Sequence, residues 1–176
     1  MPKIDWSMVS AMAACVGVTV ALVYYTKNLQ LTRLSNSAKM IHDLVGNFNS
    51  REMREHRSRF ASALLREAPA IDLRRDAPVL DFFEEVGYMT RRKMLDRGMV
   101  WNSFFWWLEP YYLAAKAQII TARTNAEVPS LFIEIEWLFD RMCEVTKQEE
   151  GREYAAPSEA YITEFLNDEA ALVTPS

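Results

Sequence analysis

Val100-Trp101-Asn102-Ser103-Phe104-Phe105-Trp106-Trp107-Leu108-Glu109-Pro110-Tyr111-Tyr112-Leu113-Ala114-Ala115 is the stretch on which the fold turns. Val100, Phe104, Trp107, Tyr111 and Ala114 recur at helical spacing as one apolar stripe. Trp101, Phe105, Leu108, Tyr112, Ala115 and Ile119 form a second stripe beside it. A helix that is apolar on two adjoining stripes has to be wrapped by neighbours, so this stretch is the central element of a helical core. Asp96 can cap it, and it is expected to reach Arg123, with Thr124-Asn125-Ala126 as its end. Pro110 deletes one backbone donor and crowds the carbonyl a turn earlier, which predicts a kink. Phe104 to Trp107 occupy consecutive positions and point all round the helix, so at least one ring projects from the core. Trp106 is the candidate for that exposed ring, as a partner interface or a lipid-facing contact.

The segments on either side read as helices too. Asp76-Ala77-Pro78 is a helix start, followed by Val79, Leu80, Phe82, Phe83, Val86 and Met89 at helical spacing and by Arg91-Arg92-Lys93 near the C-terminus, where cations complement the backbone dipole. After Pro129-Ser130 come Leu131, Phe132, Ile135, Leu138, Phe139 and Met142. A helix from about Arg51 to Glu67 follows the break Asn47-Phe48-Asn49-Ser50, where either Asn49 or Ser50 can cap, and Ala68-Pro69 closes it. A weaker helix of about Ser158 to Ala171 ends the chain. No strand and no internal repeat is predicted, and 5 Gly and 7 Pro among 176 residues also argue against a β-rich chain.

Towards the N-terminus, Ser7 to Tyr25 carries no charge, with Trp6 at one end and Tyr24, Tyr25 and Lys27 at the other. At roughly 1.5 Å per residue such a helix nearly covers a hydrocarbon core of about 30 Å, and rings at both ends suit the interfaces. The run continues well past Ala11-Met12-Ala13 and past Cys15, which argues against a cleaved leader or a lipoprotein box. Residues 7–25 are therefore expected to span a bilayer. The greater basic excess, Lys27, Arg33 and Lys39, follows the run, placing the N-terminus outside and the remainder in the cytoplasm. Leu31, Leu34, Ala38, Ile41, Val45 and Phe48 then form a short heptad-like seam on a stalk, which either packs on its own domain or pairs weakly with a second copy. The expected organisation is all-α: anchor 1–26, stalk 27–48, helical domain 49–148 with about four to five helices in the bundle, and acidic segment 149–176.

Charge is uneven. Net charge is −4, which argues against a general nucleic-acid binder. Arg51, Arg54, Arg57 and Arg59 open an arginine-rich stretch that could face anionic lipid, whereas the chain beyond Leu131 is strongly acidic. The two cysteines, Cys15 and Cys143, are far apart and imply no disulfide framework.

Val79-Leu80-Asp81-Phe82-Phe83-Glu84-Glu85-Val86-Gly87, then Met94-Leu95-Asp96, the tryptophan-rich stretch, and Ile119-Ile120-Thr121-Ala122-Arg123 together resemble an uncharacterised bacterial family of small membrane-anchored helical proteins, a domain of unknown function. The likeness continues to the Phe132–Phe139 helix. It implies an N-terminal membrane helix followed by a helical cytoplasmic-type domain, and it supplies no activity and no functional residues. Similar proteins commonly have glycine where this chain has Lys93.

No reactive constellation emerges. His42 and His56 lack partners at ligand spacing, and there is no Cys-x-x-Cys, no Gly-x-Ser-x-Gly turn and no phosphate loop, so no catalytic, cofactor or metal residue is assigned. Glu85, Asp96, Arg123 and Glu136 are expected as polar pairs that fix helix packing, since buried charges require partners. The leading expectation is a membrane-tethered interaction module with a protein partner. A membrane-linked stress or phage-response component and an enzyme using acidic core residues are the alternatives.

Overall fold

The computed structural model describes residues 6–66, 77–125 and 128–173, and side chains from Cys15 onward. The described residues are helical, with no strand. Six helices follow in order: α1 Trp6–Phe48, α2 Arg51–Leu65, α3 Pro78–Arg91, α4 Arg97–Asn125, α5 Ile133–Glu150 and α6 Glu159–Ala170. The chain divides into Met1–Ser37 and a compact unit, Ala38–Ser176, which begins inside the segment read as a stalk.

In the first unit, α1 exposes Val16, Val18, Val20, Leu22, Val23, Tyr24 and Tyr25, each more than half accessible. Among the described residues no helix is long and apolar enough to cross a membrane. The side chains of Ser7 to Ala14, the first part of the expected span, lie outside the described residues.

In the compact unit α3 packs along α5 and α2 along α6, while α4 lies against α5 and touches α2, α3 and α6. Both stripes of α4 are covered as its pattern demands: Val100, Phe104, Leu108, Tyr111, Tyr112, Ala115 and Ile119 are buried. The end of α1 adds Ile41 and Phe48 to the core. The Phe48 ring lies 4.9 Å from Phe82, 5.5 Å from Phe83 and 5.4 Å from Trp107 in tilted or edge-on packing, the geometry that aromatic quadrupoles favour.

Local chemistry accounts for the helix ends. Ser50 is the cap of α2, its hydroxyl accepting from Met53 N at 3.2 Å, while the Asn49 side chain turns back to donate to Val45 O. Asp96 caps α4 by accepting from Met99 N at 3.0 Å. Ser158 does the same for α6. Asp76, Ala68-Pro69 and Ala126, read as helix boundaries, lie outside the described residues; α3 itself begins after Ala77, with Pro78 in its first turn.

Lys93 has φ 59°, and hydrogen bonds run from Lys93 N to Thr90 O and from Met94 N to Met89 O. This is the paired-bond close of a helix through a left-handed residue, which glycine adopts without steric cost. The glycine expected there in similar proteins thus has a backbone reason, and Lys93 makes the same turn against its own Cβ. Gly87 has a different constraint. A Cβ there would fall onto the Glu134 carbonyl and stand 2.8 Å from its carbon, so the missing side chain is what lets α3 approach α5.

Candidate functional site

Two polar-aromatic sites flank α6. The first is closed. Arg57 projects from α2 into the core, 3% exposed, and its Nε and Nη2 donate to Glu169 of α6 at 2.7 and 2.5 Å. Tyr111 of α4 donates its hydroxyl to the same carboxylate at 2.5 Å. Arg57 Nη1 donates to Phe48 O at 3.3 Å, and the guanidinium carbon sits 4.4 Å from the Phe48 ring centre and 5.8 Å from that of Trp107. Nearby, Ser58 donates to Ala170 O at 2.7 Å. Burial alone would lower the Arg57 pKa, but the Glu169 hydrogen bonds and charge hold it above its ordinary value. Burial and the Glu169 charge likewise keep Tyr111 protonated far beyond the ordinary phenol range. The bidentate fork and the phenol satisfy a buried ion pair that would otherwise be costly.

The second site is open. A groove of ≈ 380 Å³ runs between α4, the end of α5, the 151–158 connection and α6, with Phe105, Trp106, Glu109, Tyr154 and Tyr161 among its walls. Trp106 is 62% exposed and stands edge-on to Tyr161, ring centres 5.9 Å apart. A hollow of ≈ 320 Å³ borders the same two rings and reaches Glu164 and Asp168. Pro110 follows one turn later in α4 and has no N–H to give the Trp106 carbonyl. Burial raises the pKa of Glu109. The Tyr154 hydroxyl is buried beside that carboxylate without a well-formed hydrogen bond, and burial with the Glu109 charge holds it protonated above its ordinary range.

Of the residues singled out in the sequence, Arg123 and Glu136 are paired at 2.7 Å. The same guanidinium donates to Leu131 O at 2.7 Å and Phe132 O at 3.1 Å, holding the turn in which Phe132 takes the left-handed conformation, φ 55°. Asp96 acts as a helix cap. Glu85 departs from expectation: it faces solvent on α3. Its neighbour Glu84 does the packing work instead, accepting from Ile135 N at 2.7 Å and so capping α5 from another helix, although burial raises its pKa. Arg57 also departs. Its guanidinium is enclosed by the clamp and is no lipid contact, whereas Arg51, Arg54 and Arg59 are exposed. Arg57 shares the buried face of α2 with Phe60, Ala61 and Leu64, three, four and seven positions further on.

His42 is exposed and His56 half-buried, 4.0 Å from Glu52. Cys143 is half-buried, and burial, then Asp140 and Glu109, pushes its thiol up to about 12. Among the described residues no group of three or more potential ligands is placed to hold a metal ion. Sequence reasoning missed Glu169 and Tyr111. The nearest signal is the position of Arg57 itself, three, four and seven residues before the apolar Phe60, Ala61 and Leu64.

No curated protein and no solved structure matches the chain. Residues 11–142 match DUF4760, a domain of unknown function, and the chain belongs to that family.

Proposed function

We propose that this protein is a membrane-tethered interaction module: Ser7–Tyr25 anchors it, with the N-terminus outside and the helical domain cytoplasmic, and the face around Trp106 docks a protein partner. The observation that carries the docking reading is Trp106 itself. An indole left 62% exposed, edge-on to Tyr161 in a groove, is the kind of ring that dominates binding when a partner covers it. The anchor reading rests on the uncharged run and on the exposed valines, leucine and tyrosines of α1. Moving each Val or Leu from water into hydrocarbon gains about 1.5–3 kcal/mol, which supplies the reason for a lipid environment.

Fractionation and co-purification from native membranes test both halves. The full chain is expected in the membrane fraction, and Val18→Arg with Val20→Arg should release it; wild-type chain found in the soluble fraction would sink the anchor. Trp106→Ala should keep its helicity and its place in the membrane but lose a stoichiometric protein partner. A partner retained by that variant would remove Trp106 from the docking face.

A further inference from the structure

The open groove repeats the chemistry of the closed clamp, but among the described residues no cation is seated over its rings. In the clamp a carboxylate, a phenol and two aromatic rings surround the Arg57 guanidinium. In the groove Glu109 supplies the carboxylate, Tyr154 and Tyr161 the phenols, and Phe105 and Trp106 the rings. Arg152 is the one basic residue on its wall; its charge reaches Glu109, but it is turned to Glu150 at 2.6 Å, with its side chain 70% exposed. Two other tryptophans carry the chain's own arginines: Arg57 lies over Trp107, and Arg91, Arg97 and Arg141 lie about Trp137 at 5.7 to 6.0 Å. Among the described residues no such cation lies over Trp106. Carboxylates stand on both sides of the Trp106–Tyr161 step, Glu109 on one and Glu164 with Asp168 on the other. The Tyr161 hydroxyl registers this: its pKa is raised by burial, then by Glu109 and Glu164.

Aromatic faces attract cations through their quadrupole, and a nearby carboxylate adds charge and a hydrogen-bond acceptor. An isolated cage would suit a small organic cation. Here the acidic and aromatic groups extend over the step into the second hollow, with Glu164 and Asp168 one helical turn apart, so carboxylates on both sides can meet successive basic groups of one chain.

We infer that the groove binds a basic segment of a partner protein, seating an arginine or lysine side chain against Trp106 and Tyr161 with its charge toward Glu109. The inference rests on the docking reading above and names the chemistry of its partner.

Fluorescence anisotropy of labelled hexa-arginine, with the full chain in detergent micelles, tests it. A glycine-serine peptide serves as the neutral control and tetramethylammonium chloride as the small-cation probe. Hexa-arginine should bind, weaken with salt, and lose about tenfold in affinity in Trp106→Ala and in Glu109→Gln. Glu85→Gln, which removes an equal charge from α3, should leave binding unchanged. Circular dichroism verifies that each variant is folded. Binding that ignores Trp106 and Glu109, or that falls equally with Glu85→Gln, would overturn the inference as mere charge attraction. Saturation by tetramethylammonium with no peptide binding would overturn it in favour of a small cation. A native partner that still requires Trp106 while hexa-arginine does not bind defeats the basic-segment inference alone; loss of Trp106 dependence in both assays defeats the docking reading with it.

Discussion

The clamp at Glu169 and the groove at Trp106 use similar side chains on two sides of one short helix, and they differ in who supplies the cation. On the closed side Arg57 reaches in from α2, and carboxylate, phenol and rings are all engaged within the chain. On the open side Glu109, Tyr154, Tyr161 and Trp106 stand around a space whose one basic wall residue, Arg152, is turned to Glu150. Composition alone therefore does not distinguish a structural polar cluster from a candidate docking surface. Burial and pairing do. A charge group already satisfied inside the fold holds two helices together, whereas one half-satisfied at the surface retains interaction energy for a ligand. Glu169, Tyr154 and Tyr161 all lie beyond residues 11–142, so the C-terminal segment completes both sites outside the family-matched region.

The largest expected effect breaks the closed side. Glu169→Ala strands a buried guanidinium and should cost about 3–5 kcal/mol in urea denaturation, with α6 amides exchanging faster than the rest of the domain. Pairing it with Arg57→Met should recover a substantial part of the loss, because the uncompensated charge is then gone. A loss in Glu169→Ala no greater than that of an exposed glutamate would show the clamp to be incidental. Gly87→Ala comes next. The added methyl meets the Glu134 backbone, and about 1–3 kcal/mol of destabilisation is expected. Full retention of stability would mean that α3 and α5 separate freely, contrary to a tightly closed interior.

Chemical reactivity sharpens the open side. Cys143 is held up to about 12 by burial and then by Asp140 and Glu109, and the thiolate is the attacking form. In a Cys15→Ser background at pH 8.5, alkylation by iodoacetamide should be at least about tenfold slower in the folded protein than in urea. It should accelerate as pH rises towards the folded pKa. Glu109→Gln removes one of the charges that raise that pKa and should speed the reaction. Indifference to Glu109 would place its charge elsewhere. The smallest effect belongs to neither site and calibrates both: Lys93→Gly relieves a left-handed Cβ but loosens the unfolded chain, for a net gain of up to about 1 kcal/mol by thermal melting.

The difference between the two sites also explains what could be read in advance. Trp106 was legible because four consecutive aromatic-rich positions exceed the arc that a helix can bury, and it is the exposed ring of the four. Arg123 and Glu136 were legible as two of four residues expected in polar pairs, and the structure decides that they pair with each other. Glu85 was not. One position separates it from Glu84, and a rotation of about 100° per residue decides which carboxylate reaches the start of α5. Arg57 looked like one of a row of surface arginines until α6 was seen to bring Glu169 against it, across 112 positions of sequence.

By itself the sequence determined the helical class, the two-stripe centre on α4, most of the caps and the uncharged N-terminal run, since periodicity, capping groups and the distribution of charge are local properties. Only the tertiary structure decided that Gly87 is a backbone contact, that Arg57 is interior, and that α6 closes one polar-aromatic site while leaving its counterpart open. Those outcomes depend on which faces of distant helices meet. A buried charge is tolerated only where a distant partner arrives with matching geometry, and no local pattern encodes that arrival.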